Sequence, residues 1–226
     1  MGTDTGAEAG DAAKAGKGAD TADGGQAERD AAAELRGLVV PAAETAARIV
    51  RGVPAGLLDA PTPCPEWDVR GLINHLIFWT GRGETAARKR PPRPGVEERH
   101  DFTRDGDWAA RYAEQALATA EAWRDEAAWE GVTSLSGDPN GGMPAVVIGG
   151  MLFSECVLHG WDLAVATGQD PALPDRLVRA SYEQVASIAE MGREYGAFGE
   201  QVEVDASAPT LDRLLGLAGR DPRWKP

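Results

Sequence analysis

Basic charge, histidine, cysteine and long apolar runs are all scarce in this 226-residue chain. Lysine and arginine number 23 against 36 acidic residues, giving a formal net charge of −13 and a pI near 4.7. A nucleic-acid groove or an anionic membrane surface needs a basic footprint, so neither is an expected partner. The longest apolar stretch, Met143 to Phe153, is broken by Pro144, Gly149 and Gly150 and is too short to span a bilayer. No continuous apolar segment occupies the amino terminus, which argues against a secretory signal. The two cysteines, Cys64 and Cys156, cannot make a disulfide framework. These scarcities point to an acidic, cytoplasmic protein. What is present is an ordinary globular composition, 42% apolar and 26% charged, enough for one cored domain with an appendage.

Residues 1–30 hold no Leu, Ile, Val or aromatic residue. Such an Ala/Gly/Asp-rich segment cannot bury enough surface to offset its ordering entropy, so a disordered tail is expected there, with transient helix near residues 26–34. The domain is expected over 35–226. Leu35, Leu38, Val39, Ala42, Ala46, Ile49 and Val50 recur at three- and four-residue steps, one helical face, with Pro41 marking a start or a bend. A proline-rich loop runs from Pro54 to Trp67. Asp68 is placed to cap a second helix, on which Leu72, His75, Leu76 and Trp79 share a face. Further helices are expected over about 107–129, from Pro144 to about 167 with Gly168 as its terminator, and over about 174–194 and 209–218. Val202-Glu203-Val204 is a short extended piece. No strand alternation is long enough for a sheet. The pattern is all-α, a four-helix bundle with extra carboxy-terminal helix and a short tail.

Three histidines exist, His75, His100 and His159. Two of them fall in long apolar helices. Glu155 precedes His159 by four residues, which puts both side chains on one face a turn apart. That face is flanked by Met151, Leu152 and Leu163 and points into the bundle, where a carboxylate without a partner is costly. If His75 meets the same cavity, two imidazoles and one carboxylate make three protein ligands with an open position, the pattern of a catalytic divalent-metal site. Spacing alone leaves two other readings open: a hydrogen-bonded Glu–His pair, and histidines that are satisfied core residues.

The stretch Pro61-Thr62-Pro63-Cys64-Pro65-Glu66-Trp67-Asp68-Val69, with Leu72-Ile73-Asn74-His75-Leu76, resembles the first signature of the mycothiol-dependent maleylpyruvate isomerase metal-binding domain. Glu155-Cys156-Val157-Leu158-His159-Gly160-Trp161-Asp162-Leu163-Ala164, with Ala166-Thr167-Gly168, resembles the second. Phe198-Gly199, Asp212-Arg213-Leu214-Leu215 and Gly219-Arg220-Asp221-Pro222 are similar to an actinobacterial subgroup of metal-binding proteins. The resemblance implies a DinB-like four-helix bundle holding one divalent ion, usually zinc, on His75, Glu155 and His159. It also implies an enzyme of the transferase or isomerase kind, in which the metal holds a small thiol, mycothiol, as thiolate for addition to a small electrophile. The isomerase has a separate carboxy-terminal domain that supplies a substrate-binding arginine. Here the stretch after Gly168 reads as one helix and a short tail, which argues against maleylpyruvate as the substrate. A non-catalytic metal-binding module, acting as a sensor or docking a partner, is the alternative.

Other residues carry narrower expectations. Asp162, three residues past His159, either orients that imidazole from behind or bonds a neighbouring helix. Trp67 and Trp161 are expected to pack the bundle rather than stack on a substrate. Cys156 lies about 100° around the helix from Glu155, a poor fourth ligand and a buried small apolar residue. Cys64 is expected to pack a turn, His100 to be solvated, and Asn74 to bond across helices.

Overall fold

The computed structural model describes residues 15–95, 97–137 and 141–226. Six α-helices account for most of them: α1 (Ala15–Arg51), α2 (Val69–Ala87), α3 (Trp108–Ala122), α4 (Ala145–Ala166), α5 (Asp175–Glu194) and α6 (Thr210–Leu217). The first four form the bundle. Helices α1 and α2 stand on opposite corners, each packed against both α3 and α4, while α5 packs on α4 and carries α6. The bundle is the all-α architecture expected from the periodicity.

The capping chemistry explains where the helices begin. Asp68 accepts from the Gly71 amide at 2.7 Å at the start of α2, and Asp107 accepts from the Ala110 amide at 3.0 Å at the start of α3. Pro41 does not start α1, which runs through it. The amide that proline lacks would have met the Gly37 carbonyl, and Gly37 is exposed, so water can take that bond. Residues 15–30, read from sequence as part of a tail, belong to α1, and residues 1–14 of that segment lie outside the described residues.

Helix α3 ends seven residues before the sequence pattern suggested. Residues Glu126–Trp129 form a separate 3₁₀ turn capped by Asp125, and the Trp129 indole donates to the Trp123 carbonyl at 2.7 Å. The freed carbonyl at the helix end is thereby satisfied by a side chain rather than by another helical turn. Beyond it lies a two-residue antiparallel ladder, β1 (Val132–Thr133) and β2 (Met143–Pro144), with Val132 opposite Pro144 and Thr133 opposite Met143. The Thr133 hydroxyl donates to the Ala86 carbonyl at 2.7 Å and ties this hairpin to the end of α2. Gly137 lies in the connecting turn, and residues 138–140 lie outside the described residues.

Helix α4 is the bundle's buried member. By length and composition it could cross a membrane, but 72% of its most apolar window is buried inside the protein. Burial in the bundle accounts for its composition without a bilayer. Its glycines set how closely neighbours approach. A Cβ at Gly149 would stand 2.7 Å from the Trp129 ring and 2.8 Å from the Trp123 ring, whereas at Gly160 it would meet only Ile49 Cδ1, at 3.5 Å.

These two positions predict opposite signs for one substitution. Gly160→Ala gains helix propensity and should stabilise by about 0.5–1 kcal/mol. Gly149→Ala forces the two indoles apart and should destabilise by about 1–3 kcal/mol. Urea denaturation of the two variants reads the contrast directly.

Candidate metal centre

The loop before α2 is shaped by one buried hydroxyl. Thr62 Oγ1 lies 2.7 Å from the Trp67 carbonyl and 3.0 Å from the Cys64 carbonyl, and it accepts from the Cys64 amide at 3.1 Å. Val69 N–H donates to the Ala60 carbonyl at 3.0 Å, closing the loop onto the start of α2. This turn sets the Trp67 indole against His75, ring centroids 4.3 Å apart, and 5.6 Å from the His159 ring.

Helix α2 then presents His75, and α4 presents Glu155 and His159 one turn apart. His75 Nε2 lies 2.8 Å from Glu155 Oε2, and His159 Nε2 lies 3.3 Å from the same oxygen. A donor atom from each of the three falls within 4.8 Å of the others. The Glu155 side chain is 34% exposed, so the carboxylate looks into an opening rather than into sealed core. Burial alone would raise its pKa. Attraction to His159, then to His75 with its hydrogen bond, and then to Arg220 outweighs burial and holds the carboxyl down to about 2.

The donor set fits a divalent ion. Ligands about 2.0–2.2 Å from a tetrahedral ion stand roughly 3.3 Å apart. The His159–Glu155 separation already has that value, 3.3 Å, and the His75–Glu155 contact needs about half an ångström of opening. His159 is also oriented for ligation. Its Nδ1 is 2.9 Å from Asp162 Oδ2. A proton on Nδ1 serves that bond and turns the Nε2 lone pair toward Glu155, so two acceptors face each other. A proton or a metal ion has to lie between them.

Behind His159 is a second polar layer. Asp162 is 0% exposed and Arg220 6%. The guanidinium donates to Asp162 Oδ2 at 3.0 Å and Oδ1 at 3.4 Å, to Cys64 Sγ at 3.1 Å, and to the Ala218 carbonyl at 2.7 Å. Arg220 reaches this place because of how α6 ends. Gly219 takes φ 81°, its amide donates to the Gly216 carbonyl at 3.1 Å, and the Arg220 amide donates to the Leu215 carbonyl at 2.8 Å. That is a Schellman turn, which only glycine enters without strain. Burial alone would raise the Asp162 pKa; Arg220 foremost, then the His159 hydrogen bond, hold it below the usual carboxylate range. Cys64, His159 and Asp162 make a second group with metal-ligand geometry. Its position beside Asp162 and Cys64 is filled by the guanidinium, so His75, Glu155 and His159 are the better candidate.

The chain is matched over residues 39–164 by the family model for the mycothiol maleylpyruvate isomerase N-terminal domain. The chain belongs to this family. It is also similar to two uncharacterized proteins of Mycobacterium tuberculosis, MT0763 of strain CDC 1551 / Oshkosh and Rv0738 of strain ATCC 25618 / H37Rv. Each is 30% identical over 184 residues, covering 78% of this chain and 92% of the relative. No solved structure matches the chain. The family match contains all three candidate ligands and Asp162, whereas Arg220 lies beyond its end.

A cavity of about 860 Å³ opens over the cluster, with His75, Glu155, His159, Cys64 and Arg220 in its wall. Asp162 Oδ2 contacts His159 Nδ1 and also accepts from Arg220 of the tail. Trp161 is buried as expected, but Trp67 packs at a tilt on His75, meets His159 edge-on, and lines the cavity. Cys64 lines it too, bonded to Asp162 at 3.2 Å. Cys156 is buried beside Glu155. His100 takes no part, pairing with Asp105 at 2.7 Å. Asn74 bonds Asp101 in the following loop at 3.2 Å rather than a helix. The sequence marks Arg220 only as part of the Gly219-Arg220-Asp221-Pro222 motif and gives it no place at the site, although its position just after a helix-ending glycine was the available signal.

Arg220→Ala leaves the buried Asp162 carboxylate without its guanidinium and with only His159 and Cys64 as partners, and should cost about 3–5 kcal/mol of stability in the metal-free protein. The double variant Arg220→Met/Asp162→Leu, which removes both charges, should recover much of that loss. Chemical denaturation of the three proteins checks both statements.

Proposed function

We propose that the chain binds one divalent ion, zinc foremost, through His75, Glu155 and His159, and works with a small thiol as a transferase or isomerase acting on a small electrophile. The observation that carries this reading is the convergence of three donor atoms within 4.8 Å in the wall of a cavity large enough for two small molecules. Membership of a mycothiol-associated family favours mycothiol as the thiol, and the reduced cytoplasm is the compartment such a reaction requires. An ion held there supplies an open coordination position and makes a thiol that occupies it more acidic.

The chain's own residues do the rest. Asp162 fixes the His159 tautomer, Arg220 keeps Asp162 charged, and Trp67 shields the imidazoles from water. Neither cysteine competes as nucleophile. Burial, then the negative charge of Asp162, push the Cys64 thiol well above its usual range, and burial pushes Cys156 up to about 12. A thiolate in this cavity therefore has to arrive with a cosubstrate.

Metal analysis of purified protein should find about one equivalent of a divalent ion. His75→Ala, Glu155→Ala and His159→Ala should each lose it, and His100→Ala should keep it. Less than about a tenth of an equivalent in the unsubstituted protein contradicts the metal reading. With metal bound, mycothiol and a panel of electrophiles should give conjugates or isomers at a metal-dependent rate. Metal uptake with no such product supports a sensing or docking module instead.

A further inference from the structure

Resting on the reading of this cavity as a thiol and electrophile site, we propose that it selects by charge, taking neutral or cationic ligands with an apolar body and rejecting carboxylates. Besides Glu155, three carboxylates line the cavity, Glu66 from the loop before α2, Glu98 from the loop after it, and Glu200 from the loop after α5. All three are exposed, and none has an ion-pair partner among the described residues. Arg220 is the one lysine or arginine in the wall among the described residues. It is not available to a ligand, because its four hydrogen bonds go to Asp162, Cys64 and Ala218 and its charge is cancelled by Asp162.

The remaining wall is apolar and aromatic, supplied by Trp67, Trp79, Leu135, Met151, Leu152 and Phe198. A dicarboxylate entering here loses water, gains no free cation and passes three like charges. Even a divalent ion at the centre has one of its charges cancelled by Glu155, so the carboxylates outnumber what is left. Amide- or hydroxyl-bearing thiols and uncharged or cationic electrophiles meet no such barrier. Charge selection of this kind is a property of the mouth and is strongest at low ionic strength.

Neither native thiol can report, since burial holds both back, but Tyr195 lies in the cavity wall and is 79% exposed, so Tyr195→Cys puts a reactive thiol at the mouth in every protein compared. Cationic and anionic methanethiosulfonates of similar size are compared on metal-free protein at about 10 mM ionic strength. In this reaction the thiol introduced at position 195 forms a mixed disulfide and sulfinate leaves. Mass spectrometry locates the adduct, and rates are normalised to a free thiol in solution. The cationic reagent should be favoured at position 195 by about tenfold or more. The triple variant Glu66→Gln/Glu98→Gln/Glu200→Gln should bring the ratio close to one. A control triple variant at exposed positions elsewhere, Glu44→Gln/Glu114→Gln/Glu183→Gln, changes net charge equally and should leave the ratio high.

A second arm needs no reporter thiol. Calorimetric binding of 2-mercaptoethanol and 3-mercaptopropionate to zinc-loaded protein should show the anionic thiol gaining several-fold in the cavity triple variant, while the neutral thiol is unchanged. Equal or faster modification by the anionic reagent, or a ratio insensitive to the three glutamates, overturns the proposal. Failure to bind zinc overturns the metal reading instead, and leaves the modification ratio to decide this one.

Discussion

An apolar helix can carry Glu155 and Asp162 into a helical bundle only if each carboxylate meets positive charge. That constraint organises the rest of the molecule. Either carboxylate, left ionised and alone, would cost several kcal/mol. Asp162 finds Arg220 at 3.0 Å and the His159 imidazole at 2.9 Å. Glu155 finds two imidazoles at 2.8 and 3.3 Å. The two solutions differ in kind. The first is sealed, with its cation supplied by the chain. The second opens to a cavity, and its donors are those that bind a transition metal.

This arrangement makes the carboxy-terminal segment part of the site. Without α6 and the Gly219 turn, Asp162 would lack its guanidinium and His159 its fixed orientation. Gly219 also packs so closely on Gly199 that a Cβ would stand 2.8 Å from the Gly199 Cα, which joins the tail to the loop carrying Phe198 and Glu200. The segment that supplies the inner support of the imidazole therefore also forms one side of the cavity mouth.

Much of this was readable from the residues. The 3.6-residue periodicity located the helices, Asp68 and Gly168 marked a start and a stop, and the i, i+4 spacing placed Glu155 with His159 on one face. His75 could be joined to them only through the family likeness, since no spacing rule reaches 80 residues along a chain. Arg220 stayed hidden for the same reason, being 58 residues from Asp162. The end of α3 was misplaced because apolar residues keep helical spacing through Trp129 although the backbone turns at Trp123. Side-chain satisfaction of a carbonyl leaves no trace in a hydrophobic pattern. The role of Trp67 was likewise invisible, because an aromatic residue that packs and one that lines a cavity look alike in sequence.

The central claim is that two imidazoles and the Glu155 carboxylate, and no sulfur, form the protein's metal-binding set. X-ray absorption spectroscopy of zinc-loaded, thiol-free protein addresses it most directly. The account predicts a nitrogen and oxygen shell at about 2.0–2.1 Å with the outer scattering of two imidazoles and no sulfur shell. A sulfur shell near 2.3 Å would place the ion on Cys64, Asp162 and His159 instead, and would contradict the account.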